Sequence, residues 1–255
     1  MEAAGDEPLT GPPKGLAAAM REGTKKPRPA SPARSRSGPT SAPPSGPAPG
    51  EGKPAPDLDS GLFGAAPTGW EGYDDLDTLA EAASGCTRCP LSQGRTQVVF
   101  GSGSPRADLM FIGEAPGAQE DLQGLPFVGP AGALLTKIIE AIDLTRDEVY
   151  IANIVKCRPP GNRDPLPAEV KECRGYLERQ IDLVAPKVIV ALGRVAAQTL
   201  LDSEMPLGRL RGRWHSVRGV AVRATYHPAA LLRNSSWKRP TWEDMKIVRE
   251  RLDEA

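Results

Sequence analysis

The four cysteines of this chain have a spacing that suits a metal site. Cys86 and Cys89 form a C-x2-C pair, and Cys157 follows after 67 further residues, with Cys173 after another 15. Four thiolates can hold a [4Fe–4S] cluster or a zinc ion. The second pair fits poorly with a zinc ribbon, whose second pair is usually another C-x2-C. The spacing therefore favours the cluster, with zinc and unligated or redox-active thiols as the alternatives.

A second group of residues suited to chemistry lies between Met110 and Val128. The apolar run Leu109–Ile112 predicts a buried strand, and the sequence GEAPG directly after it predicts a turn. This strand end delivers Glu114, and an isolated aromatic residue, Phe127, follows shortly after. Open α/β sheets bind their ligands at the carboxyl ends of strands. The stretch therefore predicts a pocket with a carboxylate and an aromatic platform.

Further apolar runs predict the strands that hold this pocket. Val149–Val155, interrupted only by the strongly polar Asn153, and Lys187–Gly193 both favour buried strands. Val98–Phe100 predicts another strand, and Val220–Thr225 predicts a hairpin with the Arg-rich segment before it. Helical patterns cover about residues 74–84, 130–142, 167–184, 194–201 and 242–252, with Thr241 as the last cap and a loop opening at His227 and Pro228. This alternation predicts an α/β fold: three α/β/α layers around a mainly parallel central sheet of about four strands.

The N-terminal segment has a different composition. Residues 1–69 contain 14 of the 27 prolines and one aromatic residue, Phe63. Such a Pro/Ala/Gly-rich segment cannot bury enough apolar surface to offset its ordering entropy. We therefore predict a disordered tail over residues 1–69 and one folded domain over residues 70–255. Within the tail, Leu58–Phe63 resembles the peptides that dock on bacterial sliding clamps, or is a chance apolar patch.

Charge and hydropathy restrict the environment. The formal net charge is zero, and five arginines with no acid among them lie between Leu207 and Tyr226. Such a basic strip can follow a phosphate backbone, or form an ordinary solvated hairpin. The acidic N-terminus predicts no secretion signal, and no run approaches a membrane span. We therefore predict a cytoplasmic protein with reduced cysteines.

Six features in order resemble the family 4 uracil-DNA glycosylases, the iron–sulfur branch of that superfamily. They are CTRCP, GEAPG, PFVGPAG, NIVKCRPPGNR, the late Cys173 and HPAALLRN, and the similarity covers about residues 75–253. The resemblance implies a compact α/β/α fold with a [4Fe–4S] cluster on the four cysteines. It also implies removal of uracil from single- or double-stranded DNA by a monomer associated with the nucleoid.

The resemblance assigns a role to individual residues. Glu114 would face the sugar and the attacking water, and His227 would donate a hydrogen bond to uracil O2. Phe127 would stack on the flipped base, Asn153 would read its pairing edge, and Leu231 would fill the space that the base leaves in the DNA. The remaining implied substrate-binding positions are Ala115, Glu120, Asn162 and Arg233.

The same assignments make chemical sense. An extruded base is held by stacking and by hydrogen bonds to its edge, and an asparagine can satisfy O4 and N3–H together. Cleavage leaves a uracil anion and a cationic sugar, and one positioned donor at the anion is worth about 10²–10³ in rate. Other branches place an acid or amide for water activation where this chain has Ala115. Glu114 is therefore the leading candidate here, ahead of Glu120 and Asn162.

Structural roles are the alternative for each of these residues. Glu114 could cap a turn, Phe127 could belong to the core, and Asn153 could satisfy backbone groups at a bulge. His227 could only cap its loop, and Leu231 could pack inward together with Leu232.

Two rival functions follow from the same sequence. A related branch bonds covalently to DNA through a histidine on a loop that would fall between Cys157 and Cys173, but this loop contains no histidine here. A non-enzymatic iron–sulfur protein that binds DNA or transfers electrons would explain the cysteines and arginines. It would leave Glu114, Phe127, Asn153 and His227 without a role.

Overall fold

The structure, a computed structural model, describes residues 69, 70 and 72–254. The predicted tail, residues 1–69, lies outside this part of the chain apart from Gly69, and so does the Leu58–Phe63 patch. Among the described residues no helix is both long and apolar enough to cross a membrane.

A mainly parallel sheet forms the centre of the fold, as predicted, with six strands where about four were expected. Its order is β1-β3-β2-β4-β6-β5, and the short β1 and the hairpin strand β5 run antiparallel at its two edges. The strands are β1 Ser102–Gly103, β2 Leu109–Gly113, β3 Tyr150–Asn153, β4 Val188–Leu192, β5 Trp214–Val217 and β6 Val220–Thr225.

One predicted strand is wrong. Val98–Phe100 does not pair as a strand, although the Val99 N–H donates to the Lys156 carbonyl at 2.8 Å. Pairing with β3 begins only at Ser102 and Gly103.

Eight α-helices surround the sheet in the described part of the chain. They are α1 Leu76–Ser84, α2 Ala118–Gln123, α3 Pro130–Glu140, α4 Pro167–Val184, α5 Arg194–Leu200, α6 Leu207–Leu210, α7 Pro228–Arg233 and α8 Lys238–Asp253. The predicted loop at His227 is instead the start of α7, because Pro228 suits a first helical position and His227 caps it. Helix α8 begins four residues before the predicted start, so Thr241 lies inside it and donates to the Trp237 carbonyl.

Alternation along the strands produces the three layers. Met110 and Ile112 of β2 face a core that includes residues of α1, α4 and α5. Leu109 and Phe111 face the opposite core, which contains residues of α3 and α8. Because β2, β3, β4 and the C-terminal part of β6 are buried on both faces, their ends are fixed, and the loops that leave their carboxyl ends are held in place.

Candidate active site

A cleft of about 420 Å³ opens at the carboxyl edge of the parallel strands. Gly113, at the end of β2, pairs in register with Asn153, at the end of β3. The cleft contains every predicted catalytic and substrate-binding residue except Leu231: Glu114, Ala115, Glu120, Phe127, Asn153, Asn162, His227 and Arg233.

Asn153 presents a buried acceptor to the cleft. The residue is 1% exposed, and its Oδ1 has no hydrogen-bond partner among the described residues. The bulge alternative does not fit, because Asn153 continues the regular pairing of β3 with β2. Buried polar atoms are nearly always hydrogen-bonded, so an open acceptor that lines a cleft points to a ligand with an N–H donor.

Phe127 is held in a strained backbone conformation beside Asn153. Its φ is 53°, in the left-handed region that a bulky residue seldom adopts. The Arg146 Nη2 donates to the preceding carbonyl, that of Pro126, at 2.9 Å. A side chain at Gly132 would meet the Phe127 carbonyl, so a close approach of α3 also fixes this loop. Phe127 is thus buried and lines the cleft at the same time.

Glu120 organises the two loops around Phe127. One carboxylate oxygen accepts from the Gly117 N–H at 3.1 Å. The other accepts from the Val128 and Gly129 N–H groups at 3.0 and 3.1 Å. With both oxygens bonded to the backbone, Glu120 fits a positioning role better than the activation of water.

His227 is set up as a neutral donor. Its Nδ1 accepts from the Ala229 N–H at 3.2 Å, which places the proton on Nε2. Burial, with the positive charge of Arg233, lowers the pKa of His227 to about 4. The imidazole therefore caps α7 with one nitrogen and keeps an N–H for a ligand on the other. Its ring lies 5.5 Å from the Phe127 ring, centroid to centroid.

Glu114 forms a carboxyl pair that the sequence did not predict. Burial raises the pKa of Glu114 to about 7, and the charge of Asp164 and the hydrogen bond that protonated Glu114 donates to it act in the same direction. Asp164 also lines the cleft, and its Oδ2 lies 2.6 Å from the Arg194 Nη2. The signal in the sequence was an acidic residue inside the RPPGNRDP loop, but nothing local showed that this loop folds back over Glu114.

Asn162 stands at the exposed mouth of the cleft. Its Oδ1 accepts from the Arg158 Nε at 2.8 Å, and its φ of 55° belongs to the turn of that loop. This contact orients the amide within its own loop.

Leu231 does not fit the predicted wedge role. It is 2% exposed and packs in the core beside α3 and α8, whereas its neighbour Leu232 is 52% exposed. Because α7 turns by about 100° per residue, consecutive side chains face different directions, and here the second leucine faces outward.

Three of the five arginines in the predicted basic strip form ion pairs within the protein. Arg211 and Arg223 both bind Asp244 of α8, at 2.6 and 3.1 Å. Arg218 binds Asp182 of α4 at 2.7 Å. The acids that neutralise these arginines lie more than twenty residues away in sequence, so a local charge count cannot find them.

The four cysteines line a single cavity between α1, α4 and the loop after β3. The Arg95 Nη1 and the Lys156 backbone N–H each lie 3.3 Å from a sulfur, those of Cys157 and Cys173. Within the described residues, no three or more His, Cys, Asp or Glu side chains stand close enough to hold one ion. Burial raises the pKa of Cys89, of Cys157 and, to about 12, of Cys173. A cationic group in this cavity would therefore be needed to hold these thiols as thiolates.

A fully buried lysine connects this cavity to the cleft. Lys156 precedes Cys157, and its Nζ donates to the Asn153 carbonyl at 2.9 Å and to the Gln180 side chain at 2.5 Å. The backbone of Asn153, which carries the open acceptor, is therefore tied through Lys156 to α4, the helix that carries Cys173.

Gly113 is where the geometry of the cleft is most sensitive to added volume. A Cβ at this position would lie 2.6 Å from the Phe127 ring and would also collide with the Asn153 Oδ1. We expect Gly113→Ala to displace both groups and to lower the single-turnover rate of the reaction at this site by about 10²-fold, since a misplacement of about 1 Å can cost that much.

The matched control is Gly208→Ala. Gly208 lies in the short helix α6 with no atom within 4 Å of an added Cβ, so its substitution should leave the rate unchanged. Equal rates for Gly113→Ala and the wild type would show that the ring and the amide do not act together.

Comparisons with known proteins identify the family of this chain. Residues 100–246 match the model of the Uracil DNA glycosylase superfamily. The chain is 45% identical to a type-4 uracil-DNA glycosylase of Sulfurisphaera tokodaii, over 69% of this chain and 84% of that protein. It is 44% identical to one of Archaeoglobus fulgidus, over 69% of this chain and 93% of that protein. A type-5 uracil-DNA glycosylase of Pyrobaculum aerophilum is 30% identical, over 72% of this chain and 93% of that protein.

Proposed function

This chain belongs to the uracil-DNA glycosylase superfamily and, within it, to the type-4 enzymes, and we propose on that basis that it removes uracil from DNA. The observation that carries the proposal is the open Oδ1 of Asn153, in the same cleft as the Phe127 ring and a neutral histidine. The proposed reaction is hydrolysis of the N-glycosyl bond, which leaves an abasic site, and it gives Asn153, Phe127 and His227 each a role.

Base recognition follows from these side chains. The uracil N3–H would donate to the Asn153 Oδ1, and the amide nitrogen of the same side chain would donate to O4. Phe127 would cover one face of the ring. Extrusion of the base from the DNA costs a few kcal/mol, and these contacts offset that cost.

Bond cleavage follows from the charges around the base. The electron pair of the bond between the sugar C1′ and the uracil N1 leaves with the base, and the resulting negative charge reaches O2. The His227 Nε2–H donates to O2, while the Glu114 carboxylate stabilises the cationic sugar. A water molecule then bonds to C1′ and transfers a proton to the carboxyl pair of Glu114 and Asp164.

In this mechanism Asp164 supplies the acid for water activation that other branches carry at the position of Ala115. We expect the wild-type rate to fall below about pH 7, because protonated Glu114 cannot stabilise a cation. Asp164→Asn removes the neighbouring charge, so the pKa of Glu114 decreases and the acid limb moves to lower pH. Relative to its own plateau, the variant should be a few-fold to about tenfold faster than wild type at pH 5.5. Single-turnover rates between pH 5 and 9 measure this shift.

Asp108→Asn is the matched control. Asp108 is also an exposed aspartate, paired with Lys187 at 3.3 Å, and it lies at the opposite end of β2. A purely structural Asp164 would leave the midpoint of the acid limb in place. The other charged side chains that line the cleft are Glu120, Arg163 and Arg233, and Arg194 acts on Glu114 and binds Asp164 from α5.

The cysteine cavity fits a [4Fe–4S] cluster by its donors. Four thiols surround it and two N–H groups reach sulfur, which is the usual environment of such clusters. We propose Cys86, Cys89, Cys157 and Cys173 as the ligands. The cluster would join α1 to α4 and to the loop after β3, with no part in bond cleavage.

DNA contacts and partners extend the proposal. Leu232, the exposed leucine of α7, is a better wedge than Leu231. We propose a monomer that acts at the nucleoid in the cytoplasm. Docking of Leu58–Phe63 on a sliding clamp is a sequence-based proposal that lies outside the described residues.

Incubation of the protein with a single-stranded oligonucleotide that contains one uracil, followed by alkali, tests the function. We expect strand cleavage at the uracil, and none with Glu114→Gln at the same time point. Binding without cleavage by the wild type would favour the non-enzymatic iron–sulfur protein instead. An adduct that survives denaturation would favour the covalent branch.

A further inference from the structure

Arg211, Tyr226 and Trp237 form a three-layer stack on the surface. The Tyr226 and Trp237 rings lie 4.7 Å apart with planes 6° from parallel. The Arg211 guanidinium lies 4.3 Å from the Tyr226 centroid. Two groups at such distances cannot share one face of a ring, so Tyr226 is enclosed between them and Trp237 is the outer layer.

The stack is rigid at its base. Arg211 donates through Nε and Nη2 to the Asp244 carboxylate at 2.9 and 2.6 Å, and through Nη2 to the Pro240 carbonyl at 2.9 Å. Trp237 itself is anchored through its carbonyl, which accepts from the Thr241 hydroxyl. The Trp237 ring is held by its stacking on Tyr226, and a ring that is already ordered loses little conformational entropy when another group stacks on it.

Trp237 is also exposed where the other tryptophans of the described part are not. It is 37% exposed, whereas Trp70 is buried and Trp214 and Trp242 are half-buried. Within the described residues the ring that covers Trp237 is Tyr226, and it covers one face. The outer face is therefore available to a further planar group.

The stack lies next to the cleft. Tyr226 directly precedes His227, and α7 carries two cleft residues, Ala229 and Arg233, before the chain reaches Trp237. Arg233 and Arg239, on either side of Trp237 in sequence, are exposed. A planar group that arrives beside positive charge and beside a base pocket has the chemistry of a nucleotide.

We infer that the outer face of Trp237 binds an unpaired base of the DNA strand that carries the uracil, and that this contact makes the protein prefer single-stranded DNA. The inference rests on the proposed function, because the strand must enter the cleft beside α7. A duplex keeps its bases stacked on each other and cannot offer a face without a cost in unstacking. Stacking accepts any base, so the preference concerns strandedness and not sequence.

Trp237→Ala tests the inference through the dissociation constant for a uracil-free single-stranded oligonucleotide and for the matching duplex. We expect the single-stranded complex to weaken by about 5–100-fold, the usual range for one base stacked on an aromatic ring, and the duplex complex to stay unchanged. Trp237→Phe keeps a smaller ring and should lose less. Equal affinity of Trp237→Ala and the wild type for the single strand would overturn the inference.

Tryptophan fluorescence gives a second readout, which does not require the alanine variant to fold. Single-stranded DNA should quench the emission of the wild type and of Trp242→Phe, the matched control on α8, but not that of Trp237→Phe. Quenching that persists in Trp237→Phe would contradict the inference. Uracil release by the wild type is measured in parallel on a uracil-containing single-stranded oligonucleotide of otherwise the same sequence, so a failure of the proposed function is seen separately from a failure of the stack.

Discussion

His227→Ala should lower the single-turnover rate of uracil release by about 10²–10³-fold, the loss typical of one positioned donor at a developing anion. The structure supports this size of effect because the imidazole does not have to reorganise. Its tautomer is fixed by the Ala229 N–H, and its pKa of about 4 keeps it neutral across the working range. The donor is therefore prepared before the base arrives.

His215→Ala is the matched control for this loss. His215 is the other histidine of the chain, and it lies in the hairpin with its Nε2 2.8 Å from the Leu210 carbonyl. Its substitution should leave the rate unchanged. The acid limb near pH 7 should persist in His227→Ala and vanish in Glu114→Gln, because the limb belongs to the carboxyl group. A rate for His227→Ala within a few-fold of wild type would show that the histidine only caps α7.

Cys86→Ala should produce the largest loss of stability. A ligand present at a concentration about 1,000 times its dissociation constant adds about 4.1 kcal/mol to the free energy of unfolding. For a domain of this size, the loss of that contribution lowers Tm by roughly 8–16 °C. The variant should also lack the iron and acid-labile sulfide of the wild type. Metal and sulfide analysis together with a thermal scan measure both effects.

Thr87→Ala is the control for the cysteine substitution. Thr87 is exposed, lies between the two cysteines of the same loop, and does not line the cavity. It should keep both its iron and its Tm. Zinc in the wild type, or an unchanged Tm in Cys86→Ala, would contradict the cluster.

The parts of the fold that were predictable are those governed by local patterns. Continuous apolar runs predict β2, β3 and β4 because strands buried on both faces need them, and the break at GEAPG fixes where β2 ends. A polar residue inside such a run, Asn153, is conspicuous for the same reason. The resemblance to a family supplied the roles of these residues, and the cleft brings the residues themselves together.

The parts that were missed depend on contacts between distant segments. Asp164 belongs to the candidate site because its loop folds back to Glu114 and because it pairs with Arg194 at the start of α5. Three of the arginines between Leu207 and Tyr226 are paired with Asp244 or Asp182, so they do not form the basic strip for DNA that the sequence predicts. Which of the two leucines faces outward depends on how α7 is oriented about its own axis, and a motif of two consecutive leucines does not specify that orientation.

A structure of Glu114→Gln bound to a single-stranded oligonucleotide with one uracil tests the central claim most directly. We predict that the uracil ring lies against Phe127, with its N3–H on the Asn153 Oδ1 and its O2 on the His227 Nε2. A uracil that occupies another part of the protein, or that enters this cleft without meeting Asn153 and His227, would contradict the account.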